Sequence, residues 1–483
     1  MVTAIGAYTG PIRFDDEGTY VSQAVAVLHG QLSPYTYWYD HPPVGWIVLA
    51  GWMGGPGALF PGPNAIATGR QLMVVLAGLS AALVTVLVRR FGGTSVAAVI
   101  AGLAFGLSPI AIQFHRMVML DNLAVAFVLL AWVIFAGRSR ALAPAALAGL
   151  SLAIGVLCKE TLLLMVPFIA WTAWQRHRGE TGRMCLAVAS LSFVLPLSFY
   201  PLFALLKGEL LPGPGHVSLW DGVVFQLFSR RGSGSVFDPT SDAHAVVSGW
   251  FATDWYLLAA GAALAPLLLL RRGRWPLFGA VLLSALVIVR PGYLPVPYVV
   301  WLVPLAAIAL GLGLDEIGRR AFRPLWATNG RVGPWRRAVA AVSAVALTAA
   351  GAVLVPPALQ VSAWRDSVYL NHDFDFPYRQ SSAWLAASTP EDAVVVCDNV
   401  TWTDLVLDVG RPQSQIVWYT KLGVDEDVNA RIRRFGDIDY VVVTDIMRTG
   451  QRAAILDEAL KHATQVRTWG QGAQAVEVWR VNH

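Results

Sequence analysis

Four short clusters of ionisable residues stand out against an otherwise apolar chain. The first is Phe14-Asp15-Asp16-Glu17-Gly18-Thr19-Tyr20. A carboxylate in such a loop can take the proton of a hydroxyl or help hold a divalent metal. The plainer reading is a set of acids that favours the N-terminus of a following helix. The second cluster is Tyr37-Trp38-Tyr39-Asp40-His41-Pro42-Pro43-Val44-Gly45-Trp46. Rings beside a charged pair make a wall on which a sugar stacks and is hydrogen-bonded. An interfacial aromatic belt explains the rings but not Asp40-His41-Pro42-Pro43, where two prolines stiffen the backbone beside the polar pair. The third is His115-Arg116-Met117-Val118-Met119-Leu120-Asp121-Asn122. Arg116 and Asp121 lie between two apolar runs, where ionisable groups are costly and usually functional. A mutual ion pair closing the hairpin is the alternative. The fourth is a scatter of cations. Lys159 ends an apolar run with Glu160 beside it, Arg290 opens Arg290-Pro291-Gly292-Tyr293, and Arg230 and Arg231 lie in a long polar loop. Such cations hold a lipid phosphate or diphosphate, or snorkel to headgroups.

The chain that must position these groups has 483 residues, of which 55% are hydrophobic and 14% charged. Its mean hydropathy is +0.53, and soluble domains carry about 25% charged residues. A soluble fold could not bury so much apolar surface, so most of the chain faces lipid. Soluble enzymes, disordered chains and disulfide scaffolds are excluded. Cys158, Cys185 and Cys397 are too far apart for a zinc spacing. The net charge of +5 divides into +10 over residues 1–358 (24 Lys/Arg, 14 Asp/Glu) and −5 over 359–483 (12 and 17). It therefore gives no nucleic-acid signature.

Ten apolar spans are read at 70–88, 94–113, 122–137, 141–157, 161–175, 184–206, 255–270, 276–289, 296–314 and 337–357. Alternate loops carry 16 of the 24 basic residues, from Arg89 and Arg90 to Arg323, Arg331, Arg336 and Arg337. The positive-inside rule places these loops in the cytoplasm. The opposite loops hold 11 of the 14 carboxylates, which topology does not require and chemistry on the outer face would explain. Residues 1–69 form an outer loop with interfacial helices over Ser22–Gly30 and Pro42–Phe60, with no signal peptide. Residues 70–358 form the transmembrane helical domain. Residues 359–483 read as a small extracytoplasmic α/β domain, with strands at Ala393–Cys397, Gln415–Tyr419, Tyr440–Thr444 and Ala475–Arg480 and helices at Ser381–Ser388 and Arg452–His462.

In this order the clusters resemble the GT-C membrane glycosyltransferases, specifically the protein O-mannosyltransferase-like family with its bacterial relatives, among them the lipid A aminoarabinose transferase. Asp16-Glu17 matches the family's acidic pair in the first outer loop. His41-Pro42-Pro43-Val44-Gly45 matches its His-Pro-Pro-Leu-Gly motif. Arg116, Leu120 and Asp121 match Arg-x-x-x-Leu-Asp, and Lys159 matches a later Lys at a helix start. The resemblance covers most of residues 13–310. It implies a polytopic α-helical fold and transfer from a polyprenyl-phosphate sugar, outside the cytoplasm, with inversion. Carried over, Asp16 is the general base, with Glu17 its neighbour and Asp15 a third acid that could shift the base by one position. Asp40, His41 and Asp121 shape the pocket, while Arg116, Lys159 and Arg290, with Tyr293, hold the donor. The sugar would be mannose or another pentose or hexose, and the acceptor a glycan, lipid or protein of the cell envelope. The acidic loop allows a divalent cation (Mg or Mn) without requiring one.

Four departures bear on this. The family's first transmembrane helix has no counterpart, so one is expected upstream of the sequence. Val44 replaces Leu, and Trp46 stands where protein mannosyltransferases have Lys. The tail is no β-trefoil, which favours a bacterial enzyme. A transporter or flippase would instead place ionisable residues in mid-span and repeat its halves, yet the spans are plain Leu, Val and Ala. A non-catalytic scaffold would not need Asp16 or Arg116. No separate catalytic set is read in the tail, where Asp398, Asp404 and Asp408 are taken as a solvated loop rather than metal ligands.

Overall fold

The computed structural model describes residues 2–321 and 333–483. Arg323 and Arg331 lie outside the described residues. All ten expected spans are helical. Among the described residues, five helices are long and apolar enough to cross a membrane: Ala65–Arg90, Gly179–Leu206, Asp242–Leu270, Arg272–Val289 and Val296–Ala321. Shorter apolar helices include Ser95–Gly106, Leu120–Phe135 and Leu142–Cys158. The span expected at 94–113 is interrupted, because Ser108 and Pro109 end one helix and start Pro109–Phe114. The span expected at 161–175 begins as a 3-10 turn, Glu160–Met165, before the helix Val166–Arg176.

The arginine-rich loops converge on one end of the bundle. The Arg176 guanidinium donates to the Arg90 carbonyl, His177 contacts the Ser139 carbonyl, Arg274 donates to that of Phe91, and Arg319 to that of Gly92. Asp315 and Glu316, two of the few carboxylates at this end, pair with Arg271, Arg274, Arg319 and Arg320.

Helix α1 (Asp15–Leu28) starts earlier than the sequence reading of Ser22–Gly30, with the acidic triplet as its first turn. Pro43 caps helix α2 (Val44–Gly54). The expected division at 358/359 falls inside one continuous helix, Pro334–Asn371. At about 1.5 Å per residue its 38 residues span about 57 Å, nearly twice a hydrocarbon core of about 30 Å. That helix leads into the C-terminal unit. There β1 (Val395–Cys397), β2 (Ile416–Trp418), β3 (Tyr440–Val443), β4 (Ala463–Trp469) and β5 (Val476–Val481) form one sheet in the order β2-β1-β3-β5-β4. The first three are parallel, and β5 runs antiparallel to β3 and β4.

The C-terminal unit is fastened to α1. A Cβ on Gly18 would lie 2.4 Å from the Asn399 carbonyl, so only glycine permits this approach. Asn399 donates to the Thr19 hydroxyl, and Thr403 to the Gly18 carbonyl. Beneath them Arg13 bridges Asp375 and Asp404 at 3.0 and 2.9 Å.

Candidate active site

At the end of the bundle away from the arginine-rich loops, residues from all four sequence clusters meet. His41 is placed by its neighbours. The Tyr37 hydroxyl donates to its carbonyl at 2.6 Å, and prolines 42 and 43 lead straight into α2. Gly45 then lets α2 lie against Leu120 and Cys158, since a Cβ there would come 2.5 Å from the Leu120 side chain and 3.4 Å from the Cys158 carbonyl. This close approach brings His41 to the N-terminus of Leu120–Phe135, which carries Asp121, and to Lys159 at the end of Leu142–Cys158.

The Lys159 ammonium lies 2.8 Å from His41 Nε2, and His41 Nδ1 lies 3.0 and 3.1 Å from the two oxygens of Glu160. An ammonium only donates, so Nε2 is the acceptor and Nδ1 carries the proton that goes to Glu160. The imidazole is neutral and aims the lysine. On its other side Lys159 faces Asp121 at 4.0 Å. Asp121 is fully buried, and neither of its oxygens has a hydrogen-bond partner. Such a carboxylate is held there only by the cation beside it and by the helix N-terminus.

Asp16 joins this group from α1, within charge-interaction range of Asp121, Lys159 and Tyr20. Its carboxylate is half-buried and accepts one hydrogen bond, from the Tyr20 hydroxyl at 3.3 Å. Burial and the surrounding carboxylates, Asp16 first, push the Tyr20 phenol well above its ordinary value, so it stays a donor. Asp40 stands between this group and the open side, in range of Lys159 and Lys421.

The triplet itself splits three ways. Asp15 turns toward Asn399 and Asp398 of the C-terminal unit, where burial pushes it up to about 8. Glu17 is fully buried, gripped by Arg70 at 2.8 and 2.7 Å and by the Val118 N–H at 3.0 Å, while Arg70 also reaches Asp375. Three carboxylates pointing to three partners do not make a metal cage. Among the described residues no group of three His, Cys, Asp or Glu side chains could hold a metal ion.

The structure does not bring Arg116 to the cluster. Its three guanidinium nitrogens donate to the carbonyls of Ile112, Ile5 and Tyr369, at 2.6, 2.6 and 2.8 Å. It therefore clamps the N-terminal segment to the end of Pro334–Asn371, with three of its five N–H donors on backbone carbonyls. The mutual Arg116–Asp121 pair is not formed either. Arg290 is exposed and bonds only weakly to the Tyr293 carbonyl, at 3.5 Å. Arg230 lies over the Tyr293 ring at 3.6 Å. Tyr298 stands within charge-interaction range of both Arg290 and Lys159. Sequence reasoning missed Glu160 as the partner of His41, and Arg70 and Tyr20 altogether. The adjacency of Lys159 and Glu160 was the one available signal for the first.

No family model and no curated protein matches the sequence. Solved structures do match in shape. ArnT from Cupriavidus metallidurans bound to undecaprenyl phosphate aligns over 99% of this chain and 96% of its own, with a TM-score of 0.59 and 14% identity. The oligosaccharyltransferase of Archaeoglobus fulgidus in its apo form aligns over 96% of this chain and 70% of its own (TM-score 0.54, 13% identity). The archaeal oligosaccharyltransferase AglB, in complex with an inhibitory peptide and a dolichol-phosphate, aligns over 92% of this chain and 67% of its own (TM-score 0.52, 13% identity). The chain has the GT-C fold. With its apolar helices, this GT-C chain is an integral membrane protein. The ordered motifs of its first 310 residues thus sit in the architecture they implied.

Proposed function

We propose that the protein transfers a sugar from a polyprenyl-phosphate donor to a hydroxyl of a cell-envelope acceptor, on the outer face of the plasma membrane. The observation that carries this reading is the buried Lys159, aimed by a neutral His41 and set between Asp121 and Glu160, with the accessible carboxylate of Asp16 beside it. The solved GT-C structures with undecaprenyl phosphate and dolichol-phosphate bound support the donor class.

A lipid phosphate leaves with its bonding electron pair and needs charge neutralisation rather than protonation. Lys159, together with Arg290, supplies positive charge where negative charge develops. The acceptor hydroxyl needs a base, and Asp16 is a half-buried carboxylate that accepts a single long hydrogen bond, whereas Asp121 is fully buried. The acceptor oxygen bonds to the anomeric carbon as the bond from that carbon to the phosphate oxygen breaks. The hydroxyl proton passes to Asp16, and the sugar is inverted. Mannose or another pentose or hexose is the transferred group. Asp121 and Glu160 hold the lysine, and Asp40 faces the incoming acceptor.

The test is transfer by the purified protein in nanodiscs, from a radiolabelled polyprenyl-phosphate sugar panel beginning with mannose, with envelope extract as acceptor. Wild type is expected to label the extract, and Lys159→Ala to lose both transfer and affinity for the lipid phosphate. A wild type that binds lipid-linked sugar and moves it across the bilayer without transferring it would establish a flippase instead.

A further inference from the structure

The side of the cluster that Asp40 faces is a cavity of about 1100 Å³. It is larger than the roughly 300–1,000 Å³ that enclose a drug-sized ligand, so it has room for several linked rings. Its walls come from three places: α1 with the loop that follows it, the outer loop around Asp221, and the C-terminal unit from Trp418 to Asp427. Thr19 lines it from one helical turn beyond Asp16, so the cavity opens next to that carboxylate.

The chemistry of the walls is uneven. Asp40, Asp221, Glu426 and Asp427 give it four carboxylates. Against them stands one ammonium, Lys421, which is packed over the Tyr35 and Trp418 rings at 5.6 Å each and already lies in range of Asp40 and Asp425. A phosphorylated or uronic acceptor would face four carboxylates against this single ammonium, a net negative wall. Rings are plentiful: Trp38 and Phe225 are exposed toward the opening, and Trp418 is buried behind. The Trp418 Nε1–H is buried without a hydrogen-bond partner. It is a donor that a hydroxyl oxygen would satisfy.

We propose that this cavity is the acceptor site, that it takes the end of an uncharged glycan several sugars long, and that the C-terminal unit selects it by excluding anionic acceptors. This rests on the transferase reading above. A neutral sugar chain stacks on Trp38 and Phe225, its hydroxyls meet the four carboxylates as acceptors, and its terminal hydroxyl reaches Asp16.

The full-length protein in nanodiscs is titrated calorimetrically with mannotetraose, arabinotetraose and maltotetraose, and with two anions, a bis-phosphorylated glucosamine disaccharide and trigalacturonate. Undecaprenyl-phosphate binding is measured on the same samples. At least one neutral tetrasaccharide is expected to bind and both anions to fail. Trp38→Ala, at an exposed ring, should weaken the neutral ligand about tenfold. Glu426→Lys combined with Asp427→Lys, both exposed, should admit the anions. Anions binding wild type more tightly than every neutral chain would overturn the proposal, as would a neutral ligand indifferent to Trp38→Ala. Undecaprenyl phosphate bound with no neutral glycan bound would sink this inference and leave the transferase reading standing. Loss of both would sink the two together.

Discussion

Asp16 and Glu17 are neighbours on α1, yet they belong to regions of opposite character. Successive residues on a helix point about 100° apart, and here that angle separates scaffold from chemistry. Both oxygens of Glu17 are occupied, by Arg70 and the Val118 amide, in a fully buried network that continues through Asp375 to Arg13 and Asp404. Asp16 has one long hydrogen bond from a phenol, lies in charge-interaction range of Lys159 and Asp121, and sits one helical turn from Thr19, which lines a large cavity. A charge that is matched on every side stabilises one arrangement of the chain. A charge left partly unmatched beside a cavity is available to a substrate. The same contrast holds for the cations, with Arg116 spent on three carbonyls and Lys159 held by side chains that a ligand can reach.

If the two regions differ as described, breaking them has different signatures. The largest effect is expected for Arg70→Ala, which strands Glu17 and Asp375 in the interior. Removing one partner of such a network costs about 3–5 kcal/mol, and a large fall in the thermal unfolding midpoint should accompany the loss of activity. An unchanged midpoint would show that the network is not structural. Lys159→Met sits on the other side of the comparison. Turnover of the folded protein should fall by about 100- to 1,000-fold, the scale for removing a preformed charge from a developing anion, well beyond the loss that a lower unfolding midpoint from the unpaired Asp121 accounts for. Next comes the seam between α1 and the C-terminal unit. Gly18→Ala forces a Cβ against Asn399 and should cost about 1–3 kcal/mol, read as a lower midpoint, whereas Gly51→Ala, at a helical position with open space around it, should not lower it.

The last contrast is a pH dependence. Asp15 rises from its ordinary 3.8 to about 8 in the folded protein, chiefly by burial. The folded state then holds a proton that the unfolded chain releases, so this group lowers stability as pH climbs from about 4 to 8 and adds no further change above. Unfolding midpoints measured across that window should fall less steeply in Asp15→Asn than in wild type. Identical slopes would remove Asp15 from the seam.

Much of this was legible in the sequence, for identifiable reasons. Apolar length marks the spans because lipid leaves few alternatives to helix. His41, Asp121 and Lys159, which the structure brings together, could be singled out because ionisable groups at the ends of apolar runs are conspicuous. The alternating burial of β5 showed it as a strand, while β4, exposed along most of its length, offered no pattern to read. What the sequence could not supply was direction. Nothing in Asp15-Asp16-Glu17 says which acid faces Arg70, a residue 53 positions away from Glu17. Arg116 has the position of a phosphate ligand in the sequence, and only the chain's path past Ile5 and Tyr369 shows that it also clamps two backbone segments. The partner of His41 depended on a turn at Glu160 that a reading in terms of straight helices does not contain.

The most direct test compares the two neighbours in one assay. Asp16→Asn and Glu17→Gln are purified in nanodiscs, and transfer from polyprenyl-phosphate sugar is measured alongside thermal unfolding. The account predicts that Asp16→Asn unfolds like wild type and transfers no sugar, while Glu17→Gln unfolds at a lower temperature and transfers in proportion to its folded fraction. Wild-type turnover by Asp16→Asn, with Glu17→Gln fully stable and inactive, would contradict it.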